Sequence, residues 1–249
     1  KVIGRFDKPE DFYYKDANGN VKPVALPTGC SIGKSGTWLG DYRFADLNGD
    51  GVIDNNDQTF IGNPEPKFTF GFGNTFSWKG WDLSLQFTGS VGNKVLNYNR
   101  RRLEVTGATS NLLTSVLNYA KVEKIDPNGP DDYRNYYVSN ASSTIMPRLY
   151  TESYPNGNNR VSDAFVEDGS YLRLQNVSLS YTFPKKWIEH IFLSNVKLYM
   201  NIQNLFTITK YDGYDPEVGS LWGDALKNGI DYNRYPSPRI YTFGINVSF

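Results

Sequence analysis

Between residues 68 and 78 the side chains alternate with a period of two. Phe68, Phe70, Phe72, Phe76 and Trp78, with Asn74 among them, share one face, and Thr69, Gly71, Gly73, Thr75 and Ser77 share the other. That period belongs to an extended strand and is incompatible with a helix. After Lys79-Gly80 the pattern resumes, with Trp81, Leu83, Leu85, Phe87, Gly89 and Val91 set against Asp82, Ser84, Gln86, Thr88 and Ser90. Two strands joined by a two-residue turn make a hairpin. Val177 to Phe183 and Val196 to Gln203 repeat the alternation, and Tyr241, Phe243, Ile245, Val247 and Phe249 close the chain in the same way. The expectation is five strands, all antiparallel.

The links between these strands are lopsided. Lys79-Gly80 and the stretch 184–195 are short, whereas 1–66, 99–170 and 210–238 are long. Strands running up and down place all short links at one end and all long ones at the other, the arrangement of outer-membrane barrels with periplasmic turns and extracellular loops. A soluble sandwich is instead joined by short connections and packs branched aliphatics against a second sheet. Aromatics supply 15% of the chain, yet its mean hydropathy is negative. Strands with an apolar face and a polar face, joined by long polar loops, reconcile the two. Trp78, Trp81, Phe183, Trp187 and Phe192 gather at the short-turn end, as a girdle at lipid headgroups would. The face of Gly, Ser, Thr, Asn and Gln suits a wet lumen.

The fold class expected is therefore all-β: the C-terminal five or so antiparallel strands of a transmembrane β-barrel. Since the smallest barrels have about 8 strands, the chain is expected to be a fragment of a longer protein. Its parts are an extracellular loop region at 1–66, a transmembrane hairpin at 67–98 with a periplasmic turn at 79–80, and a long extracellular loop at 99–170. A strand pair at 171–209 with a periplasmic turn at 184–195, an extracellular loop at 210–238 and a last strand at 239–249 ending in Phe249 follow.

Composition excludes several functions. No stretch approaches the roughly 18 apolar residues of a membrane helix, and the start KVIGRFDKPEDF does not read as a signal peptide. With 26 basic and 26 acidic residues there is no electrostatic footprint for nucleic acid. Arg100, Arg101 and Arg102 read as a solvated cluster at a strand end, with a phosphate or lipid-headgroup site as the alternative. Cys30 is the single cysteine and His190 the single histidine, so no internal disulfide and no cysteine-based zinc site are available. His190, in WIEHIF, reads as a surface or packing residue. Carboxylate pairs such as Glu152 and Asp163 are expected to be incidental, and no enzyme is expected.

One segment carries metal chemistry. Residues 46–57, DLNGDGVIDNND, place Asp46, Asn48, Asp50, the Val52 carbonyl, Asp54 and Asp57 at the ligand positions of an EF-hand loop, with Gly51 at the sharp bend. Calcium takes six to eight oxygens, and alternate side chains of a tight turn can supply them. Asp57 stands where a longer glutamate is usual, and no amphipathic helix precedes Asp46. The expected role is a structural Ca²⁺ in an exposed loop, with a metal-free turn as the alternative, because Asn-Gly and Asp-Gly are also ordinary turn chemistry.

Several motifs in order resemble the C-terminal region of SusC/RagA-type TonB-dependent transporters of the Bacteroidetes type. They are 46–73, SWKGWDLSLQFTGSVGNKVLNYNRRRLE at 77–104, FVEDGSYLRLQNVSLSYTFPKKW at 165–187, NVKLYMNIQNLFTITKYDGYDPEV at 195–218 and the ending YPSPRIYTFGINVSF. The Asn204-Leu205-Phe206 motif followed by Lys210-Tyr211, and the terminal Phe249, resemble structural signals of such barrels. The resemblance implies a plugged barrel of about 22 strands in the outer membrane of a Gram-negative bacterium. It implies as partners the remaining N-terminal barrel and plug, a SusD-like surface lipoprotein, the TonB complex, outer-membrane lipid and an oligosaccharide or peptide substrate. Tyr211, Tyr214, Trp222 and Tyr232 are candidates for stacking on sugars, with loop packing as the equal alternative. The competing reading of the whole chain is a secreted, calcium-stabilised carbohydrate-binding β-sandwich.

Overall fold

The computed structural model describes residues 1–106, 111–151 and 153–249. The chain forms two units, one of residues 62–96 and 167–249 and one of residues 1–61 and 97–166.

The first unit is built on a five-stranded antiparallel sheet. Its strands are β1 (Phe68–Trp78), β2 (Trp81–Val91), β3 (Tyr171–Thr182), β4 (Asn195–Thr209) and β5 (Ile240–Ser248). They lie side by side in sequence order, so the sheet is an up-and-down meander. Lys79 and Gly80 both adopt positive φ, 47° and 90°, the backbone that a two-residue turn needs to match the strand twist. A Cβ on Gly80 would lie 2.6 Å from the Thr182 carbonyl oxygen, so only glycine fits. The Thr182 amide donates to the Gly80 carbonyl at 2.8 Å. The end of β3 is thereby fastened to the β1–β2 turn, and both short links stand at one end of the sheet.

The third and fourth strands run longer than the sequence alternation suggests, because bulges interrupt their pattern. Leu174 faces Phe87 and Phe206, while Asn176 faces Gln86 and Gln203. Gln175 is thus an extra residue of β3 relative to β2, and β4 carries one more again at Asn204, whose φ is 53°. Bulges bend a strand and increase its twist, which a wall that curves into a barrel requires. The Asn204 side chain donates to the Pro238 carbonyl at 3.0 Å, holding the kink against the start of β5.

One face of the sheet is apolar and uncovered. Phe72 is 56% exposed, Trp78 68% and Phe243 72%. Leu174, Val177 and Ile202, packed with Leu83, Leu85, Phe87 and Met200, are buried by neighbours in the same sheet. A sandwich would bury this face against a second sheet; here it stands open, an apolar patch of the extent that marks a surface of contact with a partner or a membrane. Trp78 and Trp81 are partners across the turn. Trp81 stands 4.7 Å from the Tyr181 ring, and Tyr181 5.0 Å from Phe183. With exposed Trp187 and Phe192 in the 183–194 link, which holds the short helix Lys185–Ile188, the aromatic residues gather at the short-turn end.

The second unit has its own core. Phe6 and Phe12 stack at 4.3 Å beside Trp38, Leu39 and Tyr136, and Tyr42, Phe44 and Ile53 form a second cluster. Asp41, fully buried, receives Arg148 through Nε at 2.7 Å and Nη2 at 2.9 Å, together with the Trp38 amide and the Asn158 side chain at 2.8 Å each. Ribbons of only two to four residues, such as Val2–Arg5 with Tyr42–Phe44, complete it. Strands so short leave no alternation to read, which is why these segments look like plain loops in the sequence.

Candidate functional site

The polar face of the sheet is ordered in rows. Thr75, Ser84, Ser178, Asn201 and Thr242 are successive cross-strand partners from β1 to β5. Next to them run Gly73, Gln86, Asn176 and Gln203. The hydroxyls of Thr75 and Ser84 are 2.8 Å apart, and Ser77 donates to Asp82 at 2.6 Å. Where the bulges fall, Gln86, Gln175, Asn176, Gln203 and Asn204 line a shallow hollow. Such a surface exchanges hydrogen bonds with a polar solute.

Above these rows β3 carries Arg173, on the polar face and 5% exposed. Its Nη2 meets Asp215 at 2.5 Å, its Nη1 meets Glu217 at 2.8 Å, and its Nε donates to Thr207 at 3.0 Å. Asp215 also accepts the amides of Glu217 and Ser237, at 3.0 and 3.1 Å. Burial alone would raise the Asp215 pKa, but those two amides and the guanidinium outweigh it and hold the carboxyl below its usual value. This clamp ties the 210–239 connection to the wall, and sequence reasoning missed it. The available signal was an arginine inside an alternating strand together with the Asp-Pro-Glu of 215–217.

The same connection sorts the aromatic candidates. Tyr211 is buried and donates to Asp231 at 2.5 Å, which makes it a structural residue. Tyr214 and Trp222 are exposed, and Trp222 meets Tyr232 edge-on at 5.8 Å.

In the 46–57 loop, Asp46 accepts the amides of Gly49 and Gly51 at 2.7 and 2.9 Å, and Asp50 accepts the Val52 amide and the Asn48 side chain at 2.9 and 2.8 Å. Asp54 accepts the Asn56 amide at 2.7 Å. Asp57, 5% exposed, accepts the Asp54 and Leu47 amides at 2.8 and 2.7 Å, and these bonds lower its pKa. The loop therefore closes on its own amides, and among the described residues no group of three His, Cys, Asp or Glu side chains is gathered as a metal cage.

Other candidates prove structural. The arginine run is not a solvated cluster: it lies on the helix Tyr98–Leu103, where Arg100 stacks on Phe165 at 5.4 Å and bonds the Ala164 carbonyl, and Arg101 stacks on Tyr98 at 4.7 Å and bonds the Asn159 carbonyl. Only Arg102 is exposed. Asp163 accepts the Val2 amide at 2.6 Å, and Glu152 lies outside the described residues. His190 is exposed in the 183–194 link, and Cys30 is a free thiol whose pKa burial pushes up.

No family model matches the chain. It is 32% identical over 242 residues to TonB-dependent receptor P3 of Formosa agariphila, covering 96% of this chain and 22% of that protein. It is 27% identical over 210 residues to TonB-dependent receptor SusC of Bacteroides thetaiotaomicron, covering 84% and 18%. The chain thus spans about a fifth of the curated relatives it matches. Among solved structures it is similar to the RagAB peptide transporter, with a TM-score of 0.59, 21% identity and coverage of 96% of this chain and 25% of that one. The RagAB peptide importer in its closed-closed state gives 0.61, 22%, 100% and 22%. These likenesses support the wall fold. The relatives named are receptors and transporters rather than enzymes.

Proposed function

This chain is a segment of a SusC-type TonB-dependent receptor, and on that premise we propose that it forms outer-membrane wall and overhanging loops of a receptor that imports an oligosaccharide or peptide. Its strands lie in lipid with the 79–80 and 183–194 links periplasmic and the long connections extracellular. The rest of the barrel and a plug complete the pore, a SusD-like lipoprotein covers it, and the TonB complex supplies energy. The observation that carries this reading is the sheet itself, apolar and uncovered on one face, polar and hydrogen-bonding on the other. Tyr214 and Trp222, exposed on the 210–239 connection, suit stacking on a solute. The test is deletion of the whole receptor gene, followed by growth on individual oligosaccharides and on peptides as sole nutrients. Growth is expected to fail on one of these classes, and unimpaired growth on all of them would sink the reading.

On the same proposal, a structural Ca²⁺ sits in loop 46–57 among Asp46, Asn48, Asp50, the Val52 carbonyl, Asp54 and Asp57. Each carboxylate oxygen that accepts one amide keeps a second lone pair for a cation, and Gly49 and Gly51, at φ 78° and 84°, hold the bend. Calcium titration of the full-length receptor is expected to give about tenfold or weaker affinity for Asp50→Ala. Equal affinity would remove the site.

A further inference from the structure

The 1–61 and 97–166 unit contains a cavity of about 520 Å³ whose wall around Arg160 none of the preceding functions uses. Phe44, Ile53 and Ile61 supply apolar lining, Asp54, Asp57 and Gln58 one polar wall, and Gly157, Arg160 and Ser162 another.

The two polar walls differ in how well they are satisfied. The carboxylates of Asp54 and Asp57 accept amides of their own loop. Arg160 has no carboxylate partner among the described residues, although its guanidinium is half-buried and stacked on Phe44 at 4.7 Å. Its Nη2 reaches only the Asn156 carbonyl, at 3.3 Å, and its Nε has no partner. The Ser162 hydroxyl, on a residue 2% exposed, is likewise without a partner. Burial lowers the Arg160 pKa, the mark of a cation whose lost hydration is not replaced. Gly157 makes room for this group: at φ 63°, a Cβ there would stand 3.0 Å from Arg160 Nη2.

Even a half-buried cation without a counter-charge gives up hydration that nothing replaces, and a guanidinium beside a hydroxyl matches the fork of a carboxylate. We propose that this cavity binds the carboxylate group of a small ligand through Arg160 and Ser162, with the rest of the ligand against Phe44, Ile53 and Ile61. Two kinds of molecule present such a group, an acidic sugar and the C-terminus of a peptide, and the chemistry they share is what the site reads.

The test is calorimetric titration of the purified full-length receptor with glucuronate and with N-acetylglycine, using glucose as the neutral control. Binding of glucuronate alone identifies an acidic sugar, of N-acetylglycine alone a peptide end, and of both a general carboxylate site. Arg160→Gln is expected to weaken the binding by about tenfold or more. Arg160→Lys is expected to keep part of it, and Ser162→Ala, a minimal change that leaves the cation in place, to weaken it about threefold. Absence of binding by either acid, equal binding of glucose, unchanged affinity in both Arg160→Gln and Ser162→Ala, or a full-length structure in which other parts of the receptor fill the cavity would each overturn the proposal.

Discussion

Replacing Arg173 by alanine is expected to free the 210–239 connection from the wall and to destabilise the receptor by about 3–5 kcal/mol, because Asp215 is left charged and buried without its partner. Both side chains are almost fully enclosed, at 6% and 4% exposure, so solvent screening does not soften the loss. The measurement is limited proteolysis of the detergent-solubilised receptor together with its thermal unfolding, with new cleavage expected between residues 210 and 239. Arg173→Met combined with Asp215→Leu removes both charges and is expected to recover much of the stability. The clamp also has a pH window. The folded Asp215 carboxyl titrates below its unfolded value, so its contribution is complete above about pH 4 and is lost only as pH falls further through the folded pKa. Cleavage at pH 5 should match that at pH 7 and rise below about pH 4. Protection that survives in Arg173→Ala would show that the clamp does not hold the connection.

Phe72→Arg separates lipid from water as the solvent of the apolar face. Phe72 sits near the middle of β1, 56% exposed, with its ring 6.4 Å from that of Phe87. On a soluble surface such a change is worth within about 0.5 kcal/mol. On the lipid face of a barrel, arginine near the midplane costs about 2–4 kcal/mol. Reduced yield of heat-resistant barrel in outer-membrane fractions, and a lowered midpoint when the purified receptor is unfolded in urea with lipid vesicles, are the expected results. Wild-type values for both would argue against a bilayer around this strand.

The wall was legible because its signal is local. Alternation from Phe68 to Val91 marks both strands of the hairpin to the residue, and the polar face is the complement of the same pattern. It blurred where Gln175 and Asn204 add residues, since a bulge shifts the side-chain period, so β3 begins earlier and β4 runs later than the clean alternation of each. The Arg173 clamp joins residues more than forty positions apart, and the Asp41–Arg148 pair more than a hundred. Nothing in a one-dimensional pattern brings such partners together. The arginine run was misread for a related reason: charge suggests solvent, but guanidinium planes stack on aromatic rings, here Phe165 and Tyr98.

The bond from Arg100 to the Ala164 carbonyl bears on how the sheet assembles. β2 and β3 are ladder neighbours, yet residues 97–166 intervene. An unstructured insertion of that length would charge its loop-closure entropy against the pairing, each doubling of length adding about 0.6 kcal/mol. Arg100, with its ring contact to Phe165, draws the two ends of the insertion together inside their own unit. The ladder then closes over an effective loop of roughly 16 residues in place of roughly 79, a saving of about 1.4 kcal/mol. Folding of the insertion ahead of β2–β3 pairing would make a long-range contact kinetically local, so that damage to the Arg100 contact slows assembly of the wall while leaving the finished wall unaltered.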